Sequence, residues 1–265
     1  MGSGRGVRDR VAAQSAMATV VALQERAPHR RALARTIGVS PLLPEARAIY
    51  REALGELIVG DILESLGPRW DVLHDVPLDG ATLDHLVIGP AGVFAVSVVH
   101  HDEREVVVDD AVLVVAGEPT QELVQAARRA SNAAERLSDA AGEIVRVIPV
   151  LVVVGARRFV VRRRPVHVRV VTADELDEHL HRARRTAHGD DVARWSDLAD
   201  REETWQTPSP SAIDVRQLHR AFGRVRAEVT TAAVRRASWL GGTVLAGSVA
   251  VWLLVASAVS AVVAS

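Results

Sequence analysis

The stretch Leu83–His101, LDHLVIGPAGVFAVSVVHH, decides the fold of this 265-residue chain. Two apolar runs, Leu83–Ile88 and Val93–Val99, are joined by Gly89-Pro90-Ala91-Gly92, a strong turn signal. The pattern predicts a β-hairpin. Its second run is almost wholly apolar, as a strand buried on both faces would be. The first opens on an acid, Asp84. Side chains alternate along a strand, which puts Ser97 and Val99 on one face with Asp84, and His85 and His100 on the other.

Upstream, apolar residues recur at helical spacing from Pro44 to Leu66, and Gly67-Pro68 stops the run. Glu56 lies inside this helix, where a carboxylate is ordinarily a solvated one. Trp70–Leu78 alternates with period two and leads through Asp79-Gly80 into the hairpin. Downstream, Glu105–Val108 and Ala111–Val115 predict a second hairpin around Asp109-Asp110, ending in Gly117-Glu118-Pro119. A helix over Thr120–Ala140 follows, then an interior strand over Val145–Val154 closed by Gly155. Arg157–Pro165 is the densest basic run. It reads as a loop of solvated arginines, with phosphate contact through Arg162, Arg163 and Arg164 as the functional alternative. Val166–Val171 is a further strand. Thr172 and Glu175 have capping-box spacing for the next helix, and Asp190–Arg201 is another helix, ending near Trp205.

Composition limits the chemistry. The formal charge is −1, so the overall balance points neither to nucleic acid nor to acidic lipid. Without cysteine there is no disulfide framework, thiolate metal site or thiol nucleophile. Without lysine there is no lysine base; the reliance on Arg is the bias of a GC-rich bacterial genome. His85, His100 and His101 match no standard zinc spacing.

Both ends carry helical signals. Residues 1–45 read as a helical or loosely ordered extension; Gln14, Ser15 and Thr19 interrupt Val11–Leu23 too often for a cleaved signal. QTPSPS at 206–211 is a Pro/Ser linker. Residues 212–238 form an Arg-rich helix expected to lie along a membrane surface or pair with another helix. Within 239–264, Leu240–Val263 contains no charged residue; its 24 positions would span ~36 Å as a helix, enough for a ~30 Å hydrocarbon core. Arg235 and Arg236 precede it and no charge follows. The positive-inside rule then places the N-terminal domain in the cytoplasm of a single-pass, tail-anchored protein of the inner or plasma membrane. Gly242, Ala246 and Ala250 give a small-xxx-small series through which such helices could pair as a homo-oligomer.

The ordered series from Ala46 to Trp205 resembles the NERD (nuclease-related) domain, whose fold is like that of the PD-(D/E)xK restriction endonucleases. The resemblance implies an α/β fold with a mixed sheet flanked by helices. The family pattern has a helical Glu, an Asp before His and an apolar strand, then an acid-x-Lys pair on the following strand. Glu56 and Asp84 match; Ser97 and Val99 stand where the acid and the lysine belong. By resemblance, Glu56 and Asp84 are residual catalytic positions, Asp84 is the metal position, and Gln125 matches a glutamine near the site. In active members of the superfamily the Asp and the pair's acid hold a divalent metal, usually Mg²⁺, that polarises the scissile phosphate. Here one of those two carboxylates and the cation are missing, so no cofactor is expected.

Two functional readings follow. In the first, which the missing pair favours, this is a pseudoenzyme: a membrane-anchored binding or scaffolding module for nucleic acid or a protein. In the second it is a Mg²⁺-dependent nuclease using Asp84, Glu56 and a migrated ligand such as His101 or Glu103. A third possibility is that the anchor oligomerises and the domain only presents a surface.

Overall fold

The computed structural model describes residues 6–27, 32–78, 80–205 and 214–263, with most of 241–263 as backbone alone. After a short 3₁₀ turn at Val7–Asp9 come α1 (Gln14–Glu25), α2 (Ala32–Thr36) and α3 (Pro44–Glu64). Three strands follow, β1 (Asp71–Leu78), β2 (Ala81–Gly89) and β3 (Gly92–His100), then β4 (Glu105–Asp109), β5 (Val112–Val115) and β6 (Glu118–Thr120). The chain continues through α4 (Glu122–Ala141), β7 (Val147–Val154), β8 (Arg158–Arg163) and β9 (Arg169–Thr172). It finishes in α5 (Ala173–Arg182), α6 (Gly189–Asp200), α7 (Glu202–Trp205) and the long α8 (Val215–Val263).

The expected hairpin is present: β2 and β3 pair antiparallel from His85↔Val96 to Gly89↔Gly92, and β3 is buried through Val98. Around it a five-stranded mixed sheet runs in the order β1-β2-β3-β7-β9, with β3, β7 and β9 parallel. Helices α3 and α5 cover one face through Val59, Leu63, Leu176 and Leu180, packed on Val87, Phe94, Val96 and Val152. The other face packs Leu86, Ile88, Val93 and Ala95 against Ala130, Ala133 and Leu137 of α4 and against the fully buried Trp205. Apolar residues on alternate sides of β2 and β3 thus each find a helix, and that double cover fixes the register.

The single sheet expected from the sequence is two sheets. Strands β6-β5-β4-β8 form a second, four-stranded sheet, and the supposed arginine loop is its edge strand β8, parallel to β4. The division comes where β3 and β7 end together. His101 donates its N–H to the Val154 carbonyl at 2.9 Å and Glu103 to Gly155 at 3.0 Å, after which both chains turn away and pair again as β4 and β8. Gly155 has φ +74, and a Cβ there would stand 2.7 Å from His100 Nε2, so the exit needs glycine. Pro119 sits in the short edge strand β6 where a turn was expected, an allowed place for a residue without an N–H. Helix α4 is preceded by Gln121 at its N-cap, not Thr120. At α5 the capping box is present, with Thr172 N–H donating to Glu175 Oε2 at 3.1 Å.

Within the N-terminal extension, expected to be helical or loosely ordered, residues 6–27 include α1 and pack on the domain. Val7 enters the main core, and Arg10 forms a buried ion pair with Asp75, which also accepts from Ser15 N–H and Oγ. Helix α1 packs with α3 and with the first turns of α8 around Met17, Tyr50, Leu218 and Phe222. The Arg-rich helix therefore pairs with helices of the domain itself. The linker 206–211 lies outside the described residues, as does Asp79 of the expected Asp79-Gly80 turn. Helix α8 continues to Val263, but most side chains of the expected span Leu240–Val263 lie outside the described residues. Among the described residues no helix is long and apolar enough to cross a membrane, so the described structure lends that expectation no support.

Candidate functional site

Strands β2 and β3 part beyond the His85↔Val96 pair. Asp84, the next residue on β2, turns its carboxylate into the gap, where Oδ2 accepts the Val98 N–H at 2.6 Å. A side chain has taken over a backbone donor at the strand ends, which anchors Asp84 at the position the hairpin pattern marked. Asp84 and Glu56 are each 9% exposed, and Ser97 is 1% exposed. Glu52 lies one turn before Glu56 on α3, at the exposed rim.

Burial governs the charges here. Removal from water, reinforced by Asp84, Asp75 and Glu52, pushes Glu56 up to about 9, so its carboxyl holds a proton at neutral pH. Burial pushes Asp84 up to about 6; the Arg129 guanidinium and the Val98 hydrogen bond act in the opposite direction. Glu52, although at the rim, is also raised by partial removal from water, with Arg129 opposing. One cation therefore acts on three carboxyl groups.

Arg129 is the charged neighbour of the site that sequence reasoning missed. It projects from α4 and its Nη1 lies 3.5 Å from Ser97 Oγ, at the position where the family pattern has its acid. The signal was available: Arg129 lies on the predicted helix just before Ala130, an inner-side position, so its stem was bound to approach the sheet. Gln125, one turn earlier on α4, is exposed. Val99 shares the Ser97 side of β3 and packs against an apolar cluster that includes Val153 and Leu123.

The migrated ligands do not gather. His101 ends beyond β3 and pairs with Glu122 of α4 at 3.1 Å, while Glu103 is exposed in the turn with φ +55. His100 faces α3, its Nδ1 2.9 Å from the Arg51 carbonyl oxygen and its Nε2 2.6 Å from Asp102. His85 is buried against His74, their Nδ1 atoms 2.8 Å apart, and burial holds both pKa values down, so the pair is a neutral hydrogen bond under α3. The three histidines thus occupy three separate places. Among the described residues no group of three or more His, Asp or Glu side chains is placed to hold a metal ion.

The donor set also fits Mg²⁺ poorly. That ion prefers octahedral oxygen ligands and binds mainly through ionised carboxylates. Here one oxygen of Asp84 is taken by Val98, Glu56 is protonated, and Ser97 offers a neutral oxygen next to a guanidinium.

The arginine run is elsewhere. The charges that act on Glu56 and Asp84 come from β1, β2, α3 and α4, none from β8. Arg163 is paired to Asp109 at 2.6 Å and Arg158 to Glu105 at 3.1 Å across the β4–β8 ladder. Arg162 is exposed, and Arg164 lines a cavity of about 430 Å³ between β8, β9 and α5 that also holds Glu175 and Glu178.

The fold is a mixed α/β domain with its sheets flanked by helices, and Glu56 and Asp84 are both buried in it. The family model of the nuclease-related domain, NERD, matches residues 51–154, from α3 to the end of β7. That segment contains Glu56, Asp84, Ser97 and Arg129, so the likeness to the nuclease-related domain covers the candidate site. Neither a curated protein nor a solved structure matches the chain.

Proposed function

We propose that this nuclease-related domain is a binding module that does not cleave, held at a membrane by residues 240–263. The observation that carries the first half is Arg129 beside Ser97. Where a nuclease of this pattern needs a second carboxylate for its metal, this chain offers a hydroxyl facing a fixed cation. A permanent positive charge there lowers the charge available to a divalent ion and stabilises Asp84 without one. Val99, in the lysine position, packs with apolar neighbours and supplies no proton or charge. The second half rests on sequence: 24 residues without a charge, preceded by Arg235 and Arg236, continue the helix that packs on the domain. On this reading the domain faces the cytoplasm and presents a surface to nucleic acid or a protein partner.

The test is a cleavage assay on the full chain in lipid nanodiscs, with single- and double-stranded DNA and RNA and either Mg²⁺ or Mn²⁺. The expected result is no turnover above an Asp84→Asn control. Metal-dependent cleavage that Asp84→Asn abolishes would establish the nuclease instead.

A further inference from the structure

The loop after α2 is fastened to α8 just before the charge-free stretch begins. Arg235 Nη1 donates to the Arg35 carbonyl at 3.1 Å, and Trp239 Nε1 donates to the Thr36 carbonyl at 2.9 Å. Between these bonds Gly38, with φ +75, lies so close to α8 that a Cβ would collide with the Ala232 carbonyl and the Arg236 nitrogen. The loop is therefore level with residues 232–239 of the helix.

That level carries a particular surface. Ile37 is 44% exposed, Val39 46%, Trp239 53% and Leu240 62%, a group of large apolar side chains outside the core clusters of the described residues. Exposed Arg35, Arg47, Arg235 and Arg236 accompany them, with Glu45 and Glu228 the acidic residues nearest along the chain. Ile37, Val39, Arg47 and Arg236 line a hollow of about 490 Å³. Apolar tips with an indole and several cations are the composition of a surface that sits among lipid headgroups.

We infer that loop 36–40, with Trp239 and the arginines around it, docks on an anionic phospholipid bilayer and fixes the orientation of the domain on it. The inference rests on the anchor proposed above. If Leu240 begins the hydrocarbon span, the headgroup layer covers about 5–7 Å on its near side, some four residues of helix, and the loop bonded to Trp239 falls within it. The hollow between Arg47 and Arg236 then receives a lipid phosphate, which guanidinium groups bind well. Two fixation points, one through the membrane and one on it, hold the β-sheet domain at a set angle where a single helix would let it swing.

The absence of cysteine makes the test direct, since a single introduced thiol takes a polarity-sensitive fluorophore at one site. The full chain would be labelled at Ile37→Cys, at Trp252→Cys inside the charge-free stretch, or at Val112→Cys on β5. It would then be reconstituted in phosphatidylcholine vesicles with and without phosphatidylglycerol. The expected result is blue-shifted emission at position 37, quenched by headgroup spin labels, stronger with phosphatidylglycerol and weakened by Arg47→Gln with Arg236→Gln. Position 112 stays in water and position 252 is quenched by deep acyl-chain labels. A label at 37 that behaves like the one at 112, while 252 is deep, overturns the docking face and leaves the anchor standing. A label at 252 in water overturns the anchor, and the docking face falls with it.

Discussion

Two clusters of charge stand out along the chain, and the structure treats them oppositely. Arg157–Arg164 is dense, and it lies on an edge strand where its arginines meet water, a cavity and the acids of the neighbouring strand. Glu56 and Asp84 are 28 positions apart in sequence and sparse, yet the fold buries both and sets one arginine against them. The difference teaches that charge density along a sequence says little about where chemistry is set. A buried carboxyl changes its protonation and must be compensated, whereas an exposed guanidinium is screened and costs the fold almost nothing.

The largest effect expected from this contrast is at Arg129. Arg129→Ala leaves Asp84 ionised without its counter-charge and should cost about 2–3 kcal/mol of unfolding free energy at mildly alkaline pH. Arg129 favours the ionised form of Asp84, so its contribution is present above about pH 6 and the loss should fade below it. Denaturant titrations at several pH values would measure this; a loss independent of pH would break the electrostatic account.

Glu56→Gln should act in the other direction. Folding raises the pKa of Glu56 from 4.5 to about 9, so the native state holds this proton more tightly than the unfolded chain does. Ionising it therefore costs stability progressively as pH rises from about 4.5 to about 9, and the glutamine variant escapes that cost. Relative to the parent, the variant should gain stability steadily between about pH 5 and about pH 9, read as a rising difference in Tm. Parallel pH profiles would sharpen the comparison against us by placing Glu56 in water.

The smallest effect belongs to the exposed cluster. Replacing Arg162, Arg163 and Arg164 together with Ser should leave the Tm unchanged at any pH. A fall in Tm would show that the Asp109 pairing supports the second sheet.

The hairpin, α3, β7 and the capped α5 were legible because each burial pattern is local: alternate residues meet two covering helices, and a turn or cap closes each element. The second sheet was not. Whether β3 and β7 end together and reopen as a new parallel pair is set by hydrogen bonds between residues more than fifty positions apart. The hairpin pattern also marked Asp84, and strand parity separated His85 and His100 from Ser97; in the structure those two histidines lie against α3. It gave nothing about Arg129, because a family pattern searched for a lysine on β3 does not look for a cation on the helix packed over it. The contact between α8 and α1 was hidden for the same reason, since an incomplete apolar face such as Leu218 and Phe222 does not name its partner.

On the proposed reading the guanidinium of Arg129, and not a metal ion, neutralises this site. Calorimetric titration of Mg²⁺ and Mn²⁺ into the full chain in nanodiscs, beside Asp84→Ala, tests it most directly. The account predicts no saturable binding at millimolar metal and indistinguishable traces for the two proteins. Saturable binding by the parent that disappears in Asp84→Ala would contradict it.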